Sequence, residues 1–292
     1  MDVIQQLVIN GLLTGGVFAI IAVGLTLIFG VMKIINFAHG EFLMIAMYLT
    51  YWINVKMGLD PFVAILLIFP TMFVIGIVVY KLTLNPIINS REELTLLMTV
   101  ALMIFFQNLA LMLWSADVRS ISLPYSYSTI ALGNLGLSLT KVGTFAVTIA
   151  MAIGLLFFLN QSWLGRSIRA VSQNRDAAQL MGVNTIKTYM YAFGIGIGIV
   201  GVAGAALSTV YGIYPLVGQQ FGTASFVVVV LGGLGNIPGA ILGGLLIGLI
   251  DAISGFVLPV GFNEAVYLLI FILVLLIKPN GILGKATAGG GR

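Results

Sequence analysis

Cysteine is absent from this sequence, histidine occurs once, and only 8% of the 292 residues are charged. The missing cysteine excludes disulfide bonds and cysteine-based metal or thiol sites. One histidine among scattered acids gives neither metal-ligand spacing nor a Ser-His-Asp arrangement. The stretch GILGKAT lacks the spacing of a phosphate-binding loop, and no basic stripe with interleaved aromatic residues indicates nucleic-acid binding. We therefore predict a chain that is not an enzyme and has no metal, cofactor or nucleic-acid partner.

Long apolar runs follow one another along the whole chain. Hydrophobic residues make up 60% of it, and the mean hydropathy is +1.14. A bilayer core about 30 Å thick requires about 20 apolar residues per helical crossing, and lipid-exposed backbone satisfies its own polar groups as a helix. We predict an all-α polytopic integral membrane protein, surrounded by lipid, with eight to nine transmembrane helices in one domain over residues 1–292. The runs lie near residues 4–30, 34–55, 61–80, 94–114, 142–159, 186–211, 218–234, 238–258 and 262–277.

The basic residues between these runs predict the orientation of the chain. Cytoplasmic loops of membrane proteins are enriched in Lys and Arg. This places residues 165–185 and the C-terminal tail, 278–292, in the cytoplasm, and it places the N-terminus and the loop 115–141 outside. The parity of the crossings then favours nine helices. The orienting residues are Lys81, Arg91, Arg166, Arg169, Arg175, Lys187, Lys278 and Lys285.

Glycine is abundant, with 36 residues, many of them four positions apart. Gly11 with Gly15 and Gly244 with Gly248 are examples, and this spacing predicts close helix packing. The stretch GGLGNIPG, residues 232–239 with Asn236 inside it, interrupts an apolar region. Two interpretations stay open: broken backbone lining a transport path, or an ordinary cytoplasmic turn, which the parity argument favours.

Polar residues inside the apolar runs are candidates for a substrate pathway or gate. In KIINFAHGEFLMIAMY, Asn36, His39 and Glu41 begin the second helix. They fit an interfacial helix start, in which Asn36 caps and the helix dipole favours Glu41. They equally fit a polar pathway lining, or a proton relay between His39 and Glu41.

Two further polar positions belong to the same set of pathway candidates. Gln107 and Asn108 are adjacent in the middle of the fourth run, so at least one of them is expected to face a neighbouring helix or a cavity. Structural hydrogen bonding between helices and substrate passage are both open for them. Asp251 lies towards the outer end of the eighth run, where it either reaches the interface or serves the pathway.

The stretch GRSIRAVSQNRDAAQLMGVN, residues 165–184, is polar, basic and amphipathic. A surface helix lying in the lipid headgroups is one interpretation. Within the stretch, Asp176, Ala177, Ala178 and Gly182 resemble the E-A-A-x-x-x-G loop of ABC importer permeases, with Asp in place of Glu and without the downstream I-x-L-P. The resemblance implies a short helix that docks into a cleft on an ATPase subunit. Its apolar residues would enter the cleft, and Arg169, Arg175 and Asp176 would pair with charges at the rim.

Four segments extend this resemblance over nearly the whole chain: GLTLIFGVMKIINFAHGEFLMIAMY, FFQNLALMLW, residues 165–184, and VVVVLGGLGNIPGAILGGLLIGLIDA. In this order and spacing they resemble the permeases of branched-chain amino acid ABC importers, most closely the LivH type. The resemblance implies a bacterial cytoplasmic (inner) membrane subunit that itself binds no ATP. Its implied partners are a second, LivM-like permease, two cytoplasmic ATP-binding subunits and an external solute-binding protein.

Three other functions remain open from the sequence. Urea and short-amide ABC permeases resemble the same segments. A stand-alone secondary transporter or channel would use His39, Glu41 and Asp251 to carry protons or ions. A membrane scaffold without transport is the third, although it has no need of amides in the middle of a helix.

Overall fold

The structure is a computed structural model that describes residues 2–126, 128–132, 135–259 and 262–284. Every predicted apolar run forms a helix, so the prediction of a helical membrane protein is confirmed. The polar stretch after the fifth run forms two short helices. The helices are α1 (Asp2–Met32), α2 (His39–Met57), α3 (Pro61–Val79), α4 (Glu92–Trp114), α5 (Leu139–Gln161), α6 (Trp163–Gln173), α7 (Arg175–Leu180), α8 (Thr185–Leu207), α9 (Val217–Gly232), α10 (Ile237–Val257) and α11 (Asn263–Ile277). A π-helical turn (Tyr80–Leu84) and a 3₁₀ turn (Asn85–Ile87) continue α3.

The all-α prediction missed one hairpin. Strands β1 (Thr129–Leu132) and β2 (Leu135–Ser138) pair antiparallel, with Thr129 opposite Ser138. The signal in the sequence is Gly-Asn between two short apolar stretches, which is typical of a hairpin.

Six helices of the described chain are long and apolar enough to cross a membrane: α1, α3 with its continuation, α4, α5, α8 and α10. Helices α9 and α11 are apolar but have only 16 and 15 residues. Helix α2 has 19 residues and carries Glu41 and Lys56. These three account for the difference between the six spans and the nine predicted crossings.

Helices α1 and α8 form the centre of the bundle and are buried over most of their length. Helix α1 packs along α10, and α8 packs along α2 and α3. The contact between α1 and α10 is close because glycines lie on it. A Cβ atom added to Gly11 would lie 3.0 Å from Leu249 Cα, and one added to Gly15 would lie 2.8 Å from Leu245 Cα. The close packing predicted from the glycine spacing is therefore confirmed for this pair of helices.

The bundle has two recognisable ends. At the hairpin end, Gln6 bonds to the backbone N–H and C=O of Gly136 (3.2 and 2.7 Å), and Arg119 pairs with Ile213. At the opposite end, which we call the coupling end, Arg175 donates to Asn89 (2.8 Å), and Gly30 lies beside Gly235. Residues 285–292 of the predicted C-terminal tail lie outside the described residues.

The chain between α1 and α2 turns back into the bundle. Helix α1 ends at Met32 at the coupling end, yet the His39 Nε2 atom lies 3.0 Å from the carbonyl oxygen of Ile21. At a rise of 1.5 Å per residue, Ile21 is about 16 Å from the end of α1. Residues 33–38, here called the re-entrant segment, cover that distance. Helix α2 therefore begins deep in the bundle, and the interfacial helix start weighed from the sequence is wrong.

Candidate translocation and coupling sites

The start of α2 meets α4 through a hydrogen bond between side chains. Gln107 donates from Nε2 to Oε1 of Glu41 at 2.9 Å. Glu41 is 1% exposed, and it is the only acid in the first turn of α2. Gln107 lies in the middle of α4, so this bond joins two helices well away from either end of the bundle.

The start of α2 also meets the start of α9, and the contact is made by glycines. A Cβ atom added to Gly218 would lie 2.6 Å from the Gly40 carbonyl oxygen and 2.8 Å from Oε2 of Glu41. One added to Gly40 would overlap the Gly218 backbone and lie 3.0 Å from Gly222 Cα. Only glycine permits this approach at Gly40 and at Gly218, and we call the contact of these two residues the glycine junction.

Several buried polar atoms around the glycine junction have no hydrogen-bond partner in the described chain. They are Asn36 Nδ2, His39 Nδ1 and Glu41 Oε2. Buried polar groups in native proteins are usually paired, and an ionisable side chain inside a membrane protein indicates function by default. The re-entrant segment and the first turn of α2 thus form a polar site inside an apolar bundle.

His39 and Glu41 point to different neighbours. His39 contacts the Ile21 carbonyl of α1, and Glu41 contacts Gln107 of α4. Residues two apart on a helix are about 200° apart around it. A direct proton relay between the two side chains therefore has no geometric support. Asn36 accepts a bond from the Ala38 backbone N–H (3.2 Å), which orders the turn before α2.

The other three predicted pathway residues lie away from this site. Asn108 donates to the Ile104 carbonyl (2.8 Å) of its own helix and is exposed. Asp251 accepts a bond from Asn263 (3.3 Å) and so joins α10 to α11. Asn236 caps α10 by accepting from the Gly239 N–H (3.0 Å). The predicted set is therefore not one lining. Asn36, His39 and Glu41 share the re-entrant segment and the first turn of α2, and Gln107 joins them only through its bond to Glu41.

The stretch GGLGNIPG forms an ordinary turn between α9 and α10. Asn236 donates to the Leu283 carbonyl (2.7 Å), and Gly233 and Gly235 have positive φ angles of 105° and 81°. This turn lies at the coupling end, so the interpretation as broken backbone in the interior is wrong. The broken backbone is the re-entrant segment, where Thr99 donates to the Ile35 carbonyl (3.2 Å). Sequence analysis missed Thr99 and the glycine junction, because neither has a local signature.

A cavity of about 510 Å³ opens at the coupling end. It lies between the re-entrant segment and the residues at the end of α6 and the start of α7. Arg175 lies at its border, with its guanidinium 5.6 Å from the ring of Tyr189. The polar residues that line the cavity are Lys33, Asn89, Ser90, Glu92, Thr95, Ser172, Gln173, Arg175 and Tyr189.

The predicted coupling segment consists of two helices instead of one. Asn174 separates α6 from α7 and caps α7 by accepting from the Ala177 N–H (3.0 Å). Ile168 and Val171 are buried within the chain itself, as is Ala178. The expectation that the apolar residues of this segment enter a partner's cleft is therefore wrong for Ile168 and Val171, because both belong to the protein's own core.

The free apolar surface of the segment lies at the end of α7. Leu180 is 89% exposed and Met181 is 84% exposed, and Asp176, Ala177 and Gly182 are also exposed. The two arginines that were expected at the rim of the cleft are bonded within the chain, because Arg169 donates to Asn160 and Arg175 donates to Asn89. We call residues 176–182 the α7 tip.

The sequence profile of the family described as branched-chain amino acid transport system / permease component matches residues 7–277. The chain belongs to this permease family. The family and the apolar helices confirm the predicted location, a multi-pass protein of the bacterial cytoplasmic (inner) membrane. The relatives are named as transport permeases.

Individual relatives agree with this assignment. This permease is 34% identical to the high-affinity branched-chain amino acid transport system permease protein LivH of Escherichia coli (strain K12), over 96% of this chain and 95% of the relative. It is 33% identical to BraD of Pseudomonas aeruginosa, over 97% and 96%. The autoinducer 2 import system permease protein LsrC of Yersinia pestis is 27% identical over 55% of this chain and 44% of its own length. No solved structure matches.

Proposed function

We propose that this permease is one transmembrane subunit of an ABC importer that moves branched-chain amino acids across the cytoplasmic membrane. A second, LivM-like permease, two cytoplasmic ATPases and a solute-binding protein complete the importer. The named relatives that cover nearly the whole chain, LivH and BraD, support the substrate. The observation that carries the coupling role is the α7 tip, whose exposed Leu180 and Met181 form an apolar knob at the coupling end.

The orientation of the chain follows from the same proposal. The coupling end holds Lys33, Arg91, Arg175 and Lys187, and basic residues favour the cytoplasmic side. The hairpin end then faces outward and receives the solute-binding protein. This gives an outside N-terminus, an inside C-terminus and nine membrane-embedded helices, of which α2 starts inside the bundle.

The proposed mechanism has two linked parts. ATP binding moves the ATPases, and the α7 tip passes this movement to the re-entrant segment. Arg175 at the start of α7 and Lys33 of the re-entrant segment line the same cavity. The re-entrant segment leads directly into the glycine junction. Smooth glycine contacts let helices slide or separate with little steric cost, so the junction is suited to open and close a path.

The test of this function is uptake by the purified complex in proteoliposomes. We expect uptake of leucine, isoleucine and valine that requires ATP and the solute-binding protein, with little uptake of urea or acetamide. Uptake of urea in preference to leucine would favour the short-amide alternative. Uptake by this chain without ATPases would show a stand-alone carrier and refute the proposal.

The α7 tip can be tested in the same preparation. Leu180→Asp and Met181→Asp place a charge on the apolar knob, which is costly to bury against a partner. Both variants should lose co-purification of the ATPases. The matched control is Met57→Asp, an exposed methionine at the C-terminal end of α2, which should retain the ATPases. Retention by all three variants would show that α7 lies in the lipid headgroups.

A further inference from the structure

The Glu41 carboxylate has one occupied and one unoccupied oxygen. Oε1 accepts the 2.9 Å bond from Gln107, and Oε2 has no hydrogen-bond partner in the described chain. The side chain is almost completely buried. A buried acceptor without a partner is unfavourable, so this second oxygen requires an explanation that the packing of the chain does not give.

Three features around Glu41 favour its negative charge. It lies in the first turn of α2, and the start of α9 is beside it at Gly218. Helix N-termini stabilise nearby anions, and the Gln107 amide donates a hydrogen bond to the carboxylate. Burial opposes the same charge, and a cation bound to Oε2 would offset part of that cost. The site is thus arranged for a cationic group that the chain does not itself supply.

The glycine junction lies directly beside Oε2. A Cβ atom added to Gly218 would lie 2.8 Å from Oε2, so the Gly218 backbone covers this oxygen. Separation of α2 and α9 at Gly40 and Gly218 would uncover Oε2 while leaving the bond to Gln107 in place. The same movement that opens the path therefore exposes the carboxylate.

We propose that Glu41 binds the α-ammonium group of the transported amino acid through Oε2 when the glycine junction opens. This inference rests on the proposed function and adds to it a specificity-determining residue. The selected class is zwitterionic α-amino acids. Neutral amides and sugars have no ammonium group and gain nothing from this carboxylate.

The first experiment uses the complete importer in proteoliposomes with Glu41→Gln. This change removes the charge but keeps an acceptor for Gln107. We expect the maximal rate of leucine uptake to fall at least about tenfold, with the ATPases retained and the KM for the loaded binding protein within about twofold. Glu41→Asp should recover part of the rate. The matched control is Asp251→Asn, another membrane-embedded acid bonded to an amide, which should stay within about twofold of wild type.

These outcomes separate the inference from the proposed function. Wild-type uptake of leucine together with unchanged uptake by Glu41→Gln would overturn the role of Glu41 and leave the importer intact. Absence of leucine uptake by the wild-type complex would refute the proposed function itself. An equal loss in Glu41→Gln and Asp251→Asn would also overturn the inference, because it would reflect a general need for both acids.

A second measurement needs no variant and serves if Glu41→Gln fails to assemble. A hydrophobic carbodiimide modifies accessible carboxyl groups, and mass spectrometry reports the modification of Glu41. In the wild-type complex, ATP and the binding protein should raise labelling of Glu41 by opening the junction, and leucine should lower it severalfold. Labelling of Glu41 that is the same with and without leucine would overturn the proposal.

Discussion

At the residue scale, Gly182 shows why one position of the E-A-A-x-x-x-G resemblance is occupied by glycine. Its φ angle is +84°, and a Cβ atom added to it would meet nothing within 4 Å. The position thus requires glycine for its backbone conformation and not for space. Ala178, the other small residue of the motif, is buried within the chain, so a larger residue there would disturb the permease before it disturbed a partner.

Gly182→Ala should therefore weaken coupling by straining the α7 tip. A non-glycine residue with positive φ costs about 1–2 kcal/mol, and asparagine tolerates this region better than alanine. We expect reduced co-purification of the ATPases for Gly182→Ala and a smaller reduction for Gly182→Asn. The measurement is the ATPase-to-permease ratio after purification. If both variants retained as much ATPase as the wild type, strain at this position would have no effect on binding of the partner.

At the element scale, the contact of α2 with α9 depends on how closely their backbones approach. Gly218→Ala would place a methyl group 2.6 Å from the Gly40 carbonyl oxygen. Overpacking of this kind typically costs about 1–3 kcal/mol. The variant should lower the melting temperature of the purified complex and slow leucine uptake, because the junction cannot close.

The matched control is Gly222→Ala, one turn further along the same helix. A Cβ atom there would lie 3.4 Å from Gly40 Cα, an ordinary contact. We expect stability and uptake close to wild type for this variant. If the two variants behave alike, the close approach at Gly218 has no special role.

At the scale of the whole molecule, the proposed orientation can be tested by cysteine labelling. The chain contains no cysteine, so each introduced thiol is the only one. Ser122→Cys, near the hairpin end, should react with a membrane-impermeant maleimide in intact cells. Gln179→Cys, on the α7 tip, should react only after permeabilisation when the chain is expressed without the ATPases that would cover it. Both positions are exposed. Labelling of Gln179→Cys in intact cells would invert the orientation and remove the ATPase contact.

The apolar runs were predictable because their composition depends on the solvent and not on neighbouring helices. A run of about 20 apolar residues has to be a helix in lipid wherever it packs. The same holds for the family, whose motifs lie within short continuous segments. The π-helical turn at Tyr80–Leu84 and the break at Asn174 left no comparable signal. Hydrophobic composition does not register either of them.

Glu41 and Gln107 show what the sequence by itself could not predict, namely which polar residues of different helices meet. Their residue types marked both as costly in an apolar run, but 66 positions separate them in the chain. Only the tertiary structure decided that they meet, that Asn108 and Asp251 lie elsewhere, and that Gly40 and Gly218 close over the carboxylate. Hydrophobicity is a property of each segment alone, whereas a hydrogen bond between helices depends on the rotation and depth of both. The return of residues 33–38 into the bundle sets that depth for α2, and no local pattern encodes it.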